Sequence, residues 1–248
     1  MSRTLFFFQL SILLLSCQST KMIQKEADTV RLATYFQKAA AKKGSIDFVV
    51  PNKSSKTTYN LRLIGPTKAD GLPKPLILAL HWAGGNEDYK VFSDCLIEPA
   101  FQDLDAYIIV PDAEQQIWYT EHNQQKVLEL MDAAMAIWKV DKTKVLVTGY
   151  SNGGNGSWYY AEHHANLFNA AIPMASSYQV KGSVKPPIYL IHGAKDDLFP
   201  IATTLDFAKE AQAAGTDITI KTNEHLSHFE ACAYVEDLKA GVAWWVGR

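Results

Sequence analysis

Short, continuous runs of apolar residues alternate with longer amphipathic stretches along most of the chain. The apolar runs are typical of strands that a parallel sheet buries on both faces, and they occupy residues 75–80, 106–110, 144–148, 170–174 and 187–191. The stretches between them predict helices, and a last strand precedes a final helix; these elements occupy residues 88–102, 125–140, 152–164, 203–214, 217–221 and about 231–246.

Two earlier β-like segments, 46–50 and 57–64, flank the turn-forming residues 51–55 and predict an antiparallel edge. Strands that alternate with helices predict a single α/β domain with a doubly wound, mostly parallel sheet. In such a sheet the functional site lies at the carboxyl ends of the strands.

Composition supports one sizeable domain and excludes one class of partner. The 248 residues are 48% hydrophobic, which suffices for a single buried core. Because 24 Lys and Arg against 26 Asp and Glu give a net charge of −2, no nucleic-acid partner is expected. The pair His163-His164 has no second cluster of ligands at metal spacing, so neither a metal nor a cofactor is predicted.

The N-terminal residues are typical of an export signal. Arg3 precedes an apolar run over residues 5–15 that is too short to span a bilayer. The following Leu14-Leu15-Ser16-Cys17 resembles a bacterial lipobox, in which the cysteine becomes the lipid-bearing first residue of the mature chain. An ordinary signal peptide that contains a cysteine is the alternative.

This interpretation divides the chain into a lipoprotein-type signal peptide at 1–16, a tether with a short helix at 17–44, and a folded domain at 45–248. It predicts a lipid on Cys17 that anchors the protein to a membrane of the cell envelope, and by resemblance Gln18 favours the outer membrane. The envelope permits disulfides, so Cys95 and Cys232 are compatible with one bridge or with two buried thiols.

The segment Gly149-Tyr150-Ser151-Asn152-Gly153 follows a predicted strand and precedes a predicted helix. In that context a G-x-S-x-G turn presents its serine as a nucleophile, and the tight turn needs glycine on either side. We therefore predict that Ser151 is a nucleophile, rather than part of a glycine-rich loop that only turns the chain.

A serine hydroxyl needs a base that removes its proton and a carboxylate that orients the base. The turn after the predicted strand at 187–191 offers Asp196, with Asp197 as the competing candidate; its register resembles the H-G-x-x-D-x-x-V-P turn of esterases, which favours Asp196. Past the last strand, His228 stands just before the final helix and is the predicted base, with His225 as the alternative.

An oxyanion hole needs two backbone N–H donors. Asn152 follows the nucleophile, and by analogy with H-G-x-G loops Ala83 supplies the second donor from the loop after the third strand. Trp82 stands where such loops carry glycine, so its indole either packs beneath the loop or lies over the acyl pocket. Trp118 and Tyr119 follow the fourth strand and are predicted with Trp82 to contact substrate, the alternative being packing at the rim.

Together these motifs resemble the phospholipase/carboxylesterase and polyhydroxybutyrate-depolymerase-like branch of the α/β-hydrolases, from about Ser45 to the C terminus. The resemblance implies a single-domain α/β-hydrolase fold and a serine carboxylesterase that cleaves short-chain or aromatic esters, either small molecules or polymer-linked. Residues 175–186 leave no room for a helical lid, so an open site is expected. A peptidase or thioesterase of the same fold is one alternative, and a non-catalytic binding lipoprotein is another.

Overall fold

The computed structural model consists of one sheet with helices on both faces. It describes the backbone of residues 3–42, 44–68 and 70–248, and the side chains of these residues other than 3–19 and 21. In this part of the chain the strands are β1 (Gly44–Asn52), β2 (Thr57–Gly65), β3 (Lys74–Leu80), β4 (Tyr107–Pro111), β5 (Val140–Tyr150), β6 (Ala170–Met174), β7 (Ile188–Gly193) and β8 (Ile218–Asn223).

The sheet has the order β1-β2-β4-β3-β5-β6-β7-β8. The β1–β2 and β2–β4 pairs are antiparallel, whereas the pairs from β4 to β8 are parallel. The predicted fold class, a doubly wound and mostly parallel sheet in a single domain, is therefore confirmed, including its antiparallel edge.

Both faces of the sheet are covered, which explains the continuous apolar runs in the sequence. Along β3, Leu76, Leu78 and Leu80 belong to one buried cluster, and Ile77 and Ala79 belong to the other. The helices are α1 (Arg3–Ala41), α2 (Asp88–Phe92), α3 (Glu98–Phe101), α4 (Glu121–Ile137), α5 (Asn152–His163), α6 (Ile201–Ala213) and α7 (Val235–Val246). Side chains of α1, α4, α5 and α6 join the first cluster, and those of α2, α3 and α7 join the second.

The helix predicted over residues 88–102 is interrupted. A π-helical turn, Ser93–Ile97, separates α2 from α3, and Pro99 occupies the start of α3. Proline has no N–H to donate to the preceding turn, so the helix changes its hydrogen-bond register before it. The predicted final helix is also divided, into a 3₁₀ turn at Ala231–Tyr234 and then α7.

The helix α1 contributes to the core of the domain. Leu32 and Phe36 are buried, and the indole N–H of Trp138 donates to the carbonyl of Phe36 at 2.8 Å. The carboxylate of Asp28 accepts hydrogen bonds from the backbone N–H and hydroxyl of Ser54 in the β1–β2 turn. The segment predicted as a tether and short helix therefore runs as helix to Ala41 and packs on the sheet.

The predicted signal peptide and the lipid attachment stay predictions, because the side chain of Cys17 lies outside the described residues. Among the helices of the described residues, none is both long and apolar enough to cross a membrane.

Cys95 and Cys232 form a disulfide, which decides between the two states that the sequence allowed. Their Cα atoms are 5.2 Å apart, and 137 positions separate them along the chain. The bridge joins the π-helical turn after α2 to the 3₁₀ turn that follows His228. A covalent bond therefore ties the two segments together.

Replacement of both cysteines by alanine is expected to lower the free energy of unfolding by about 2–4 kcal/mol, because the unfolded chain then loses its longest-range covalent constraint. Urea unfolding of the oxidised protein and of the Cys95→Ala/Cys232→Ala variant measures this difference. Wild-type protein kept in reductant is the matched control and should unfold at the midpoint of the variant. Equal midpoints for the oxidised protein and the variant would contradict the expectation.

Candidate active site

The turn between β5 and α5 holds Ser151 in a strained backbone conformation, with φ 55° and ψ −115°. A Cβ atom on Gly153 would lie 1.8 Å from the carbonyl oxygen of Leu80, and one on Gly149 would lie 2.3 Å from the carbonyl oxygen of Gly153. Only glycine fits these two positions, so the packing of the turn explains the sequence pattern. A strained serine at the carboxyl end of a central strand is typical of a nucleophile.

The three residues predicted as nucleophile, base and acid lie in one hydrogen-bonded chain. The hydroxyl of Ser151 is 2.8 Å from Nε2 of His228, and Nδ1 of His228 is 2.7 Å from Oδ2 of Asp196. Because an ionised carboxylate only accepts, Nδ1 donates to Asp196 and leaves Nε2 free to accept the proton of Ser151. All three side chains are largely buried, with at most 8% of each residue exposed.

The two alternative candidates for acid and base are not part of this series of hydrogen-bonded side chains. Asp197 and His225 are exposed, and neither side chain reaches the hydrogen bonds that join Ser151, His228 and Asp196.

The carboxylate of Asp196 is held by backbone donors from its own turn. Its Oδ1 accepts from the N–H of Leu198 at 3.1 Å and from the N–H of Phe199 at 2.7 Å. His192 contacts the same turn, because its Nε2 donates to the carbonyl of Phe199 at 2.8 Å. Burial lowers the pKa of His192, so this imidazole is neutral at pH 7 and braces the turn without adding a charge.

Two tyrosines that the sequence did not single out support the loop of His228. The hydroxyl of Tyr150 donates to the carbonyl of His228 at 2.8 Å, and that of Tyr234 donates to the carbonyl of Ser227 at 3.2 Å. Burial raises the pKa of Tyr150, so its hydroxyl keeps its proton and remains a donor. Tyr150 occupies a variable position of the G-x-S-x-G motif, and no signal in one sequence marks it.

The two residues predicted as oxyanion donors lie next to Ser151 in the chain or line the same cavity. Asn152 is the first residue of α5, so its N–H has no acceptor within the helix and points along the positive end of the helix dipole. Ala83 is exposed and lines the same cavity as Ser151. Asp88 fixes the loop, because its carboxylate accepts from the N–H of Gly85 at 2.8 Å and from the indole of Trp82 at 3.1 Å.

The indole of Trp82 both packs and lines the cavity. Its ring lies edge-on to Phe92, with centroids 5.6 Å apart, and to Tyr150 at 6.3 Å. The sequence allowed this side chain either to pack beneath the loop or to lie over the acyl pocket. The indole does part of each, because it is anchored to Asp88 and is large enough to reach the cavity wall.

The prediction that Trp118 contacts substrate is corrected by the structure. This residue is 0% exposed, and its indole N–H donates to the carbonyl of His81 at 2.9 Å beneath the oxyanion loop. Tyr119 is half-buried and stacks on Tyr159 at 5.3 Å, outside the residues that line the cavity. The side chain of Trp118 points inward because a residue of this size is more stable in the core than on the rim.

A cavity of about 570 Å³ opens over Ser151. Its wall is mostly apolar and is formed by Trp82, Ala83, Val91, Tyr150, Ser151, Leu198, His228, Phe229, Glu230, Ala231, Cys232 and Ala233. Residues 175–186 contain no helix, so the described part of the chain shows no helical lid at this position. Within the described residues, no cluster of His, Cys, Asp and Glu is arranged to hold a metal ion.

The sheet order, the strained serine and its hydrogen-bonded partners define an α/β-hydrolase. The dienelactone hydrolase family model matches residues 64–239, and the chain belongs to this family. The resemblance to α/β-hydrolase esterases is thereby confirmed, and the family supports an enzyme that acts on esters.

Two curated proteins are similar to part of the chain. The chain is 28% identical over 161 residues to a probable feruloyl esterase C of Aspergillus niger, covering 61% of this chain and 59% of that protein. It is 28% identical over 116 residues to protein usf of Aquifex pyrophilus, covering 44% of this chain and 50% of that protein. The chain thus spans about half to three-fifths of the length of these relatives.

A solved structure shares the fold. The fluorophosphonate-binding serine hydrolase F of Staphylococcus aureus superposes with a TM-score of 0.69 at 17% identity, covering 83% of this chain and 99% of that one.

Proposed function

We propose that this protein is a serine carboxylesterase that cleaves short-chain or aromatic acyl esters, such as acetyl or feruloyl esters, through an acyl-enzyme. The observation that carries the proposal is the continuous hydrogen-bonded chain from Ser151 through His228 to Asp196. A serine connected in this way loses its proton to the imidazole as it attacks a carbonyl.

The reaction follows from the positions of these groups. The hydroxyl oxygen of Ser151 attacks the ester carbonyl while Nε2 of His228 takes its proton. The backbone N–H groups of Ala83 and Asn152 stabilise the negative charge that develops on the carbonyl oxygen. His228 then protonates the leaving alcohol, and water hydrolyses the acyl-enzyme by the same proton transfers in reverse order.

The cavity supports small or aromatic acyl groups. A mostly apolar wall with the ring of Trp82 fits a short aliphatic chain or an aromatic acid. Residues 175–186 form no helix that could cover the site, which leaves the distal part of a long lipid chain in water. The similarity to a probable feruloyl esterase supports the aromatic class.

A series of 4-nitrophenyl esters from acetyl to dodecanoyl, together with methyl ferulate, tests this proposal. We expect kcat/KM to peak at acetyl to butyryl chains or at the feruloyl ester, and to fall by about tenfold or more for chains beyond octanoyl, since added methylenes gain no burial.

A peak at long chains would overturn the assignment of substrate class. Acyl thioesters and aminoacyl anilides in the same series distinguish an esterase from a thioesterase or a peptidase. Cleavage of either class faster than the esters would overturn the assignment of the scissile bond as an ester.

A further inference from the structure

The wall of the catalytic cavity carries one carboxylate. Apart from the imidazole of His228 and the phenol of Tyr150, which keeps its proton, Glu230 is the only ionisable side chain among the described residues that line it. Neither Lys nor Arg is part of this wall, whereas Leu198 and Phe229 present exposed apolar surface, at 52% and 77% of each residue. A substrate that enters therefore meets apolar groups and a single negative charge.

A hydrogen bond from its own turn orients the exposed carboxylate of Glu230. Its Oε2 accepts from the backbone N–H of Ser227 at 2.7 Å, which closes a tight turn around His228. This hydrogen bond lowers the pKa of Glu230, so the side chain is ionised at neutral pH. The negative charge thus stands two residues from the catalytic imidazole, on an exposed part of the cavity wall.

One cation influences Glu230 from outside the cavity. Lys195 acts on it electrostatically and lies in the turn before Asp196. Its side chain is exposed and does not line the cavity. Because Glu230 is exposed as well, solvent and salt screen both charges, and Glu230 is the one of the two that a substrate in the cavity reaches.

From this arrangement we infer that Glu230 makes the enzyme select against esters that carry a negative charge near the scissile bond, and favours neutral or cationic substrates. This specificity rests on the proposed esterase function and narrows its substrate class to uncharged or positively charged acyl esters. The physical reason is like-charge repulsion between the substrate and a carboxylate on the cavity wall; because Glu230 is exposed, solvent and salt partly screen this repulsion.

Two substrates of nearly equal shape isolate the charge. The 4-nitrophenyl monoester of glutaric acid is anionic, and the 4-nitrophenyl ester of glutaric monoamide is its neutral counterpart. The discrimination ratio is kcat/KM for the amide divided by kcat/KM for the acid. We expect a ratio of about 5–10 for the wild type at low salt, the size of effect that one screened charge produces at several ångströms.

Variants of Glu230 identify the source of the discrimination. Glu230→Gln keeps an oxygen that accepts from Ser227 but removes the charge, and its ratio should fall to about 1–2; Glu230→Lys should bring the ratio below 1. Glu236→Gln is the matched control, because Glu236 is exposed, pairs with Lys239 on α7 and does not line the cavity. Its ratio should equal that of the wild type.

Ionic strength provides a second readout that a purely structural role for Glu230 would not move. Because the Debye length falls from about 10 Å at 0.1 M salt to about 3 Å at 1 M, the wild-type ratio should approach that of Glu230→Gln in 1 M NaCl. Equal ratios for wild type and Glu230→Gln, with both substrates hydrolysed, would overturn the inference alone. Hydrolysis of neither substrate by folded wild-type protein would instead overturn the proposed function.

Discussion

Replacement of Ser151 by alanine is expected to lower kcat/KM for the best ester substrate by about 10⁴- to 10⁶-fold. The hydroxyl of Ser151 is the group that the imidazole of His228 contacts at 2.8 Å, and alanine offers no nucleophile in its place. Initial rates of the purified variant measure the loss. The free energy of unfolding should change by only about 1 kcal/mol, because a single hydrogen bond is removed.

Ser176 provides the matched control for this variant. It is a buried serine two residues after β6, and its hydroxyl has no hydrogen-bond partner among the described residues. Ser176→Ala should therefore keep activity within about twofold of the wild type, since no described partner of this hydroxyl is lost. Activity of Ser151→Ala within tenfold of the wild type would contradict the role of Ser151.

Replacement of His228 by alanine is expected to lower kcat/KM by a similar factor, about 10⁴- to 10⁶-fold. Without its imidazole, Ser151 has no acceptor for its proton, and the carboxylate of Asp196 has no group to orient. Steady-state kinetics of His228→Ala, with its fold checked by circular dichroism, measures this effect.

His225 is the matched control, because it lies three residues away in the same loop with an exposed side chain. His225→Ala should keep activity within about twofold, as expected for a surface substitution. If His225→Ala lost as much activity as His228→Ala, the assignment of the base would be contradicted.

The fold was predictable from the sequence where the burial of an element leaves a regular pattern of apolar residues. Strands such as β3 and β6 are buried on both faces, so a continuous apolar run marks them. The ends and interruptions of helices depend on single side chains instead. Helix α4 begins at Glu121, before the predicted residue 125, because the hydroxyl of Thr120 accepts from the N–H of Asn123 and caps it. The π-helical turn before Pro99 arises in the same local way.

The site was predictable where its chemistry is tied to chain order. Ser151, Asp196 and His228 follow the ends of β5, β7 and β8, and the topology of the sheet brings those ends together. Contacts between residues that are far apart in the sequence have no comparable sequence signal. Tyr150 reaches the carbonyl of His228 across 78 positions of the chain, and Trp118 reaches beneath the oxyanion loop, so neither role could be read from neighbouring residues.

Labelling by a fluorophosphonate, followed by intact mass measurement and peptide mapping, tests the central claim most directly. The wild-type protein should gain one phosphonyl group, located on Ser151, because an activated serine attacks the phosphorus and displaces fluoride. Ser151→Ala should gain none, and Ser176→Ala should be labelled like the wild type. A folded wild-type protein that takes up no label, or takes it up on another serine, would contradict the assignment of Ser151 as the nucleophile.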